Sequence, residues 1–271
     1  MTFATASRGT ALVTGASRGI GAVYADRLAR RGYDLILVAR DTDRLQSLAA
    51  ELSATSGRTV APLPADLSRQ ADLGVVEARL REDRRITLLV NNAGVGAVAP
   101  LLGADVERMQ AIVDLNVAAL MRLTYAAAPG FAARGNGTIV NIASIVGLRP
   151  ETLNGVYGAS KAFVIAFSQS LQHELADKGV RIQVVLPGAT ATDLWERSGM
   201  PWQNLPSGTV MSPEDVVDAA LAGLEQGEVV TIPGLPDVAE WKTFDAARHT
   251  LVGHARTATP AARYRVTADA F

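Results

Sequence analysis

The chain has 271 residues, of which 48% are hydrophobic, so it can bury a sizeable core and is not expected to be disordered. Lysine and arginine total 26 against 27 for aspartate and glutamate, and this formal net charge of -1 gives no electrostatic reason to expect nucleic acid or an anionic membrane as partner. The absence of cysteine excludes disulfides, thiolate catalysis and cysteine-based zinc sites.

The N-terminus has no charged segment followed by an apolar run, so residues 1–8 are not expected to be a signal peptide. No apolar stretch approaches the roughly 20 residues that would span a bilayer. The three histidines, at 173, 249 and 254, match no metal-binding spacing, and we expect no metal. The expectation is a soluble cytoplasmic protein.

Seven short runs rich in valine, isoleucine and leucine recur along the chain and are predicted to be strands. They are residues 11–14, 35–39, 60–63, 86–90, 138–142, 182–186 and 229–232. Nearly continuous apolar runs of this kind are typical of strands buried on both faces, as in a parallel sheet.

The gaps between these runs carry helical patterns. Asp41 can cap a helix whose leucines at 45, 48 and 52 share one face, and Ser212, followed by proline and two acids, is a strong helix start. Strands that alternate with helices predict a doubly wound α/β fold, with a seven-stranded parallel sheet and helices on both faces. With no repeat or low-complexity linker, residues 1–271 are predicted to form one domain.

A glycine-rich loop joins the first strand to the first helix, where residues 14–21 read T-G-A-S-R-G-I-G. Gly15 allows the tight turn, Gly19 lets the backbone approach a pyrophosphate, and Gly21 lets the helix pack closely on the strand. The helix N-terminus then presents free N–H groups to phosphate. The loop is therefore interpreted as a dinucleotide site; a purely structural glycine turn is the alternative.

The end of the second strand indicates which dinucleotide. Sites for NAD usually place an acid there, about 20 residues beyond the glycines, but this chain has Ala39 followed by Arg40. Two guanidiniums, from Arg40 and Arg18, can converge on a 2′-phosphate. This favours NADP(H). In the alternative, Arg40 is only a surface charge, Arg18 packs on the adenine and the adjacent Asp41 could serve as the acid.

Tyr157 and Lys161 are spaced to lie one turn apart on the same face of a helix. A neighbouring ammonium and an oxidised nicotinamide both favour phenolate, so they should lower the pKa of the tyrosine from its usual value near ~10. The phenol can then exchange a proton with a substrate oxygen near neutral pH. Other polar residues follow predicted strands or interrupt an apolar helix, namely Asp66, Asn91, Asn92, Asn116 and Ser144.

Together these motifs resemble the short-chain dehydrogenase/reductase family. The match comprises T-G-x-x-x-G-x-G, N-N-A-G, the asparagine of L-N-V, the serine after the fifth strand, Y-x-x-x-K and a Pro-Gly pair, in order over residues 10–232. The resemblance implies a Rossmann-type fold with Tyr157 as acid/base, tuned by Lys161, which also binds the nicotinamide ribose. It further implies that Ser144 polarises the substrate carbonyl and that Asn116 holds a water connecting Lys161 to solvent. Taken singly, Ser144 could merely cap a turn and Asn116 mark a helix kink.

The resemblance also implies where the cofactor is bound. Asp66 would bind the adenine amino group, Asn92 would line the adenosine side, and Thr192 would contact the nicotinamide amide. The full set of expected cofactor residues is Gly15, Ser17, Arg18, Gly19, Ile20, Gly21, Arg40, Asp66, Leu67, Asn92, Ala93, Gly94, Tyr157, Lys161, Pro187, Gly188, Thr190 and Thr192. The family further implies a homodimer or homotetramer, paired through the helices around Asn116 and Phe163.

Two segments break the strand-helix alternation. Residues 189–211 are apolar and irregular, which suits a lid over the substrate. Trp195 and Trp202 there favour an apolar substrate, or else pack into the core or an interface. The tail, residues 235–271, contains aromatic and basic side chains and could cover the pocket or join a partner subunit.

The predicted function is NADP(H)-dependent hydride transfer to or from a small-molecule carbonyl or secondary alcohol. A β-ketoacyl thioester reductase is the alternative within enzymes. A catalytically silent NADP(H)-binding scaffold is the alternative from another class, although such a module would not need Asn116, Ser144, Tyr157 and Lys161 together.

Overall fold

Seven parallel strands form one sheet within residues 8–264, the part of the chain that the computed structural model describes. The strands are β1 (Thr10–Thr14), β2 (Asp34–Ala39), β3 (Val60–Pro64), β4 (Ile86–Asn91), β5 (Gly137–Ile142), β6 (Val180–Val185) and β7 (Val230–Thr231). Their order is β3-β2-β1-β4-β5-β6-β7. The order reverses between β1 and β4, and ligands of open α/β sheets bind at such a switch point.

Helices occupy the connections between strands. They are α1 (Gly19–Arg30), α2 (Thr42–Ser56), α3 (Gln70–Glu82), α4 (Val106–Val113), α5 (Leu120–Arg134), α6 (Gly155–Leu175), α7 (Leu194–Ser198), α8 (Pro213–Glu225) and α9 (Val238–Ala255). Both predicted caps are confirmed: Asp41 accepts a hydrogen bond from the Arg44 amide at 3.2 Å, and Ser212 accepts one from the Asp215 amide at 3.0 Å. Each cap satisfies a backbone donor that the first turn leaves unpaired.

The core consists of two apolar clusters, one on each face of the sheet. Ala11 and Val13 of β1 belong to one cluster and Leu12, which points the other way, belongs to the second. Helices α1, α2 and α8 pack on the first face, and α3, α5 and α6 pack on the second. The predicted doubly wound architecture is therefore confirmed.

The edge strand β3 corrects one prediction. The run at 60–63 was expected to be buried on both faces, but Ala61, Pro62 and Pro64 are exposed, and within residues 8–264 β3 pairs with β2 alone. Proline has no backbone N–H to donate, so these residues suit the edge of a sheet and discourage pairing with a further strand.

One long helical segment runs from α4 through a π-helical stretch, Asp114–Ala119, into α5. Contrary to expectation, Val106–Arg134 is long and apolar enough, by length and composition, to cross a membrane. In the structure 44% of its most apolar part is buried, and α5 packs against α3 and β5. Buried core helices of soluble proteins can be equally long and apolar.

The chain divides into two compact units, up to Pro233 and from Gly234 onward. The second unit contains α9, which has no buried residue and holds Trp241 and Phe244 with ring centroids 5.4 Å apart. That residues 1–271 form one domain stays a prediction. The expectations for residues 1–7, and for Arg265 and Phe271 in the tail, lie outside the described residues.

Candidate active site

A cavity of about 1050 Å³ lies at the carboxyl edge of the sheet. The loops that follow β1 to β6 all contribute to its walls. It brings together the predicted residues Gly15, Ser17, Arg18, Gly19, Ile20, Arg40, Asp66, Leu67, Asn92, Ala93, Gly94, Ser144, Tyr157, Lys161, Pro187, Gly188, Thr190 and Thr192. Gly21 and Asn116 do not line this cavity but support residues that do, as described below.

The glycine loop has the geometry expected of a phosphate-binding turn. Gly15 and Gly19 adopt positive φ angles of 65° and 53°, which other residues rarely take up. A Cβ atom on Gly21 would collide with the carbonyl oxygen of Gly15, so only glycine lets α1 start this close to β1. The first amides of α1 are thereby brought to the cavity wall, where they can bind phosphate oxygens.

Asn92 supports the glycine loop from behind. Its side-chain amide donates to the carbonyls of Thr14 at 2.9 Å and Gly15 at 3.2 Å. The Thr14 hydroxyl accepts from the amides of Asn92 and Ala93 and donates to the carbonyl of Val90. Sequence reasoning missed this role of Thr14, although a threonine before the first glycine was part of the motif.

Acidic side chains accompany the arginines at the predicted 2′-phosphate end. Arg18 contacts Asp193 at 2.7 Å and Asp41 at 3.1 Å, so Asp41 acts as an ion-pair partner. Arg40 is 60% exposed, and its guanidinium lies 4.0 Å from the Asp66 carboxylate. Burial raises the pKa of Asp66, but hydrogen bonds from Ser68 and the charge of Arg40 outweigh it and hold that pKa below its ordinary value.

Tyr157 and Lys161 lie one turn apart on α6, both within the cavity wall and both buried. The Lys161 ammonium donates to the carbonyl of Ile142 at 3.0 Å and lies 5.8 Å from the centre of the Tyr157 ring. Ser144 follows β5 and lies near enough to the Tyr157 hydroxyl to lower the pKa of the phenol. It also donates weakly to the carbonyl of Pro187 and accepts from the amide of Val146, each at 3.3 Å.

Asn154 begins α6 and was missed by the sequence reasoning. Its side-chain oxygen accepts from the amides of Val156 and Tyr157 at 2.9 and 3.3 Å, and its amide donates to the carbonyl of Ala99 at 2.5 Å. Only 4% of Asn154 is exposed. An asparagine three residues before the tyrosine is a helix-capping signal, and it would have indicated how the tyrosine is held.

The pKa of Tyr157 in the chain alone departs from the lowering expected once the ammonium and an oxidised cofactor act together. Burial raises this pKa to about 12, and the nearby Ser144 hydroxyl lowers it only in part. Burial also lowers the pKa of Lys161 to about 8. In the chain alone, desolvation therefore outweighs the attraction between ammonium and phenolate that was expected to dominate.

Asn116 lies in the π-helical stretch between α4 and α5, where the sequence interpretation allowed a helix kink. Its side-chain oxygen accepts from the Val95 amide at 2.9 Å, while its nitrogen donates to the Val95 carbonyl at 2.9 Å and to the Ser160 hydroxyl at 3.2 Å. The asparagine thus holds the loop after β4 against α6. That it binds a water stays a prediction.

The segment 189–211 is partly ordered into α7 and is tied at its ends by a bridge between Thr190 and Met211. Thr192 packs over the glycine loop, because a Cβ atom on Gly19 would lie 3.1 Å from its methyl group. Trp195 lines the cavity, whereas Trp202 is absent from the described lining residues. Only the first tryptophan is therefore placed to contact a substrate.

A family model for short chain dehydrogenases matches residues 9–201. The chain belongs to the short chain dehydrogenase family. A solved short-chain dehydrogenase from Sphingobium yanoikuyae, in complex with NADPH, is 50% identical, with a TM-score of 0.92 over 95% of this chain and 100% of that one. The bulky-bulky ketone specific alcohol dehydrogenase from Comamonas testosteroni is 45% identical, with a TM-score of 0.87 over 95% and 99%.

Curated short chain dehydrogenase relatives differ in how much of their length the chain spans. Very-long-chain 3-oxoacyl-CoA reductase from Anas platyrhynchos is 35% identical over 216 residues, 78% of this chain and 67% of that protein. Glycine betaine reductase from Emericella nidulans is 37% identical over 227 residues, but the chain spans only 18% of its length. The predicted family, and with it the prediction of an oxidoreductase, is confirmed.

Proposed function

We propose that this oxidoreductase transfers a hydride between NADP(H) and the carbonyl or secondary alcohol of an apolar small molecule. The observation that carries the proposal is the placement of Tyr157, Ser144 and Lys161 in the same cavity as the glycine loop. A cofactor bound to that loop could reach these side chains without leaving the cavity.

The residues at the cavity wall fit NADP(H). Gly15 and Gly19 leave space for a pyrophosphate beside the N-terminus of α1, and the guanidiniums of Arg18 and Arg40, although each lies near an acid, line the cavity that would receive a 2′-phosphate. No carboxylate occupies the end of β2, where Ala39 lies. When bound, the cofactor would supply or accept the hydride at its nicotinamide. The NADPH complex of the Sphingobium relative supports this choice.

Proton transfer and stabilisation of charge are assigned to three side chains of the cavity. In reduction, the Tyr157 hydroxyl donates its proton to the substrate oxygen, and Ser144 donates a hydrogen bond to the charge that develops there. Lys161, fixed by the carbonyl of Ile142, keeps a positive charge near the phenol and is placed to bind the nicotinamide ribose. In oxidation the same tyrosine accepts the proton.

The substrate side of the cavity is largely apolar. Its walls include Val95, Val98, Ile145, Val146, Leu153, Leu194, Trp195, Met200 and Leu205. A polar sugar would leave its hydroxyls without partners there, whereas aryl or alkyl groups would be desolvated favourably. The similarity to a ketone-specific enzyme supports a ketone with apolar substituents on both sides.

A panel of carbonyl compounds tests this function directly. NADPH oxidation should be followed with an alkyl aryl ketone, a diaryl ketone, acetone and a 3-oxoacyl thioester, and each should be repeated with NADH. We expect turnover of the aromatic ketones with NADPH and little with acetone. Preferred turnover of the thioester would instead support a β-ketoacyl reductase, which the similarity to the Anas enzyme favours as second candidate. Tight NADPH binding without turnover of any carbonyl would indicate a silent scaffold.

We further propose that the enzyme works in the cytoplasm without membrane or nucleic-acid partners. The lack of cysteine and the near-balanced charge support this location. Fractionation of cells that produce the full chain would test it, and recovery in the membrane pellet at high salt would contradict it.

A further inference from the structure

Four arginines gather where the cavity approaches the end of β2. Two of them, Arg18 and Arg40, were expected from the sequence. The third, Arg44, belongs to the first turn of α2, and the fourth, Arg197, belongs to α7 in the segment over the cavity. Arg197 lines the same cavity as Arg18 and Arg40.

Acids neutralise three of these arginines but not the fourth. Arg18 is paired with Asp41 and Asp193, Arg44 lies 3.3 Å from Asp41, and Arg40 lies 4.0 Å from Asp66. Arg197 forms no ion pair among residues 8–264. Its nearby acid, Asp193, is already engaged by Arg18.

The surroundings of Arg197 disfavour its own charge. Partial burial and the positive charge of Arg18 hold the pKa of Arg197 below its ordinary value, with smaller contributions from Arg40 and Arg44. Asp193 opposes this effect without cancelling it. A guanidinium among cations, with no acid of its own, is arranged to receive an anion from outside the chain.

The backbone around Arg197 is held in place. The Arg108 guanidinium of α4 donates to the carbonyl of Arg197 at 2.6 Å, and the Ser198 hydroxyl donates to the carbonyl of Leu194 at 2.6 Å. Behind them, Ser198 contacts the loop after β4 so closely that a Cβ atom on Gly96 would lie 2.6 Å from its hydroxyl. Helix α7 is therefore anchored on the cavity wall.

We propose that Arg197 binds the 2′-phosphate of NADP(H) from α7, together with Arg18 and Arg40. The inference rests on the proposed cofactor, because NAD(H) has a 2′-hydroxyl in the same place. A phosphate monoester carries a charge of about −1.5 to −2 and three acceptor oxygens, which suit several guanidiniums. Arg197 then discriminates between the two cofactors, and α7 closes more firmly over NADP(H).

Cofactor titrations on Arg197→Gln test this role without turnover. Dissociation constants for NADPH and NADH should be measured by fluorescence, with adenosine 2′,5′-bisphosphate and adenosine 5′-monophosphate as competing fragments. We expect affinity for NADPH and the bisphosphate to fall about tenfold or more, with NADH and the monophosphate unchanged. Arg30→Gln is the matched control, since it removes an exposed arginine paired with Asp26 and should change none of the four constants.

The conservative variant Arg197→Lys keeps the charge but loses the forked donor, so its NADPH affinity should be intermediate. If Arg197→Gln fails to fold, the same titrations can be made with Arg197→Lys. Unchanged NADPH affinity in either folded variant overturns the role of Arg197, as does an equal loss for NADPH and NADH. If the wild-type protein binds NADPH and NADH equally well, the proposed preference for NADP(H) is wrong. Failure of the cofactor proposal can therefore be distinguished from failure of the role of Arg197.

Discussion

Burial sets the ionisation of the two side chains to which we assign the proton transfer and its tuning. It raises the pKa of Tyr157 to about 12 and lowers that of Lys161 to about 8. The phenol of the chain alone is therefore fully protonated at neutral pH, which is the form that a proton donor for carbonyl reduction requires. Oxidation of an alcohol needs the phenolate instead. It therefore depends more on the positive charge of an oxidised cofactor, which lowers the pKa of the phenol.

Tyr157→Phe tests the proton donor. The change removes one hydroxyl from a buried ring, so fold and NADPH affinity should persist while turnover of an accepted ketone falls on the order of 10²–10⁴-fold. Steady-state rates and a cofactor titration on the same preparation measure both effects. Turnover within about threefold of wild type in a folded, NADPH-binding variant would show that another group donates the proton.

Lys161 should give stability a characteristic pH dependence. Its pKa is about 8 in the folded chain against an ordinary 10.5, so the unfolded chain binds more protons between these values. Stability then rises with pH across that window. Urea unfolding should be measured from pH 7.5 to 10. We expect the free energy of unfolding of the wild type to increase relative to that of Lys161→Met as the pH rises. The raised pKa of Tyr157 acts in the opposite direction only above pH 10.

A constant difference between wild type and Lys161→Met over that range would mean that the ammonium is not desolvated. Arg30→Gln provides the baseline for this comparison, because it removes a positive charge from an exposed side chain.

At the scale of elements, three contacts bring the site together. The first turn of α1 meets β1 through Gly21 and Gly15, Asn154 starts α6 at the height of Tyr157, and Asn116 joins the loop after β4 to α6. Helix α7 contacts that same loop through Ser198. The position of α7 is thus determined by close packing against Gly96 as well as by the ion pair between Asp193 and Arg18.

Gly96→Ala tests that packing. The added methyl would lie 2.6 Å from the Ser198 hydroxyl, so either that hydroxyl rotates away from its hydrogen bond to Leu194 or α7 shifts. Overpacking of this kind typically costs about 1–3 kcal/mol of stability, and the Michaelis constant for the ketone should rise because the lid fits less well. Chemical denaturation and steady-state kinetics measure the two effects.

Ser198→Ala provides the complement, because it removes the atom that the new methyl meets. The double variant Gly96→Ala/Ser198→Ala should recover most of the stability that Gly96→Ala loses. The coupling free energy between the two substitutions should therefore be favourable. Additive losses in the double variant would show that Ser198 is not what opposes a side chain at position 96.

At the scale of the whole molecule, one aromatic cluster lies on the surface formed by α5 and α6. Tyr125 stacks on Phe167 with centroids 6.3 Å apart, and Phe163 stacks on Phe167 at 5.4 Å. The Tyr125 side chain is 65% exposed. Exposed aromatic groups of this kind mark protein interfaces.

We expect the protein to be a homodimer or homotetramer that buries this cluster. Light scattering at micromolar concentration should give a multiple of 28.5 kDa. Tyr125→Glu should shift the mass toward the monomer, because a carboxylate would be desolvated in the interface. Tyr264→Glu is the matched control, since Tyr264 is similarly exposed at 64% but lies in the tail unit. A monomeric wild type, or equal effects of both variants, would contradict the assignment.

Local patterns were sufficient to predict the sheet, the glycine loop after β1 and the placement of Tyr157 and Lys161 on one helix face. Six of the seven predicted runs are strands whose bounds differ by one or two residues from the prediction. The seventh strand, β7, covers only the two central residues of the predicted run 229–232. The caps at Asp41 and Ser212 and the spacing of Tyr157 and Lys161 are also local, since each depends on residues within one or two helical turns. Such features persist because local preference and burial agree.

Other features depend on residues that are distant in the chain, and these required the fold. Edge exposure of β3 follows from its neighbours in the sheet, and the pKa of Tyr157 follows from the atoms that exclude water around it. Arg18 meets Asp193 across 175 positions, a pairing that no spacing rule predicts. Burial and long-range charge are properties of the packed chain, because the dielectric surroundings of a side chain exist only after the elements have come together.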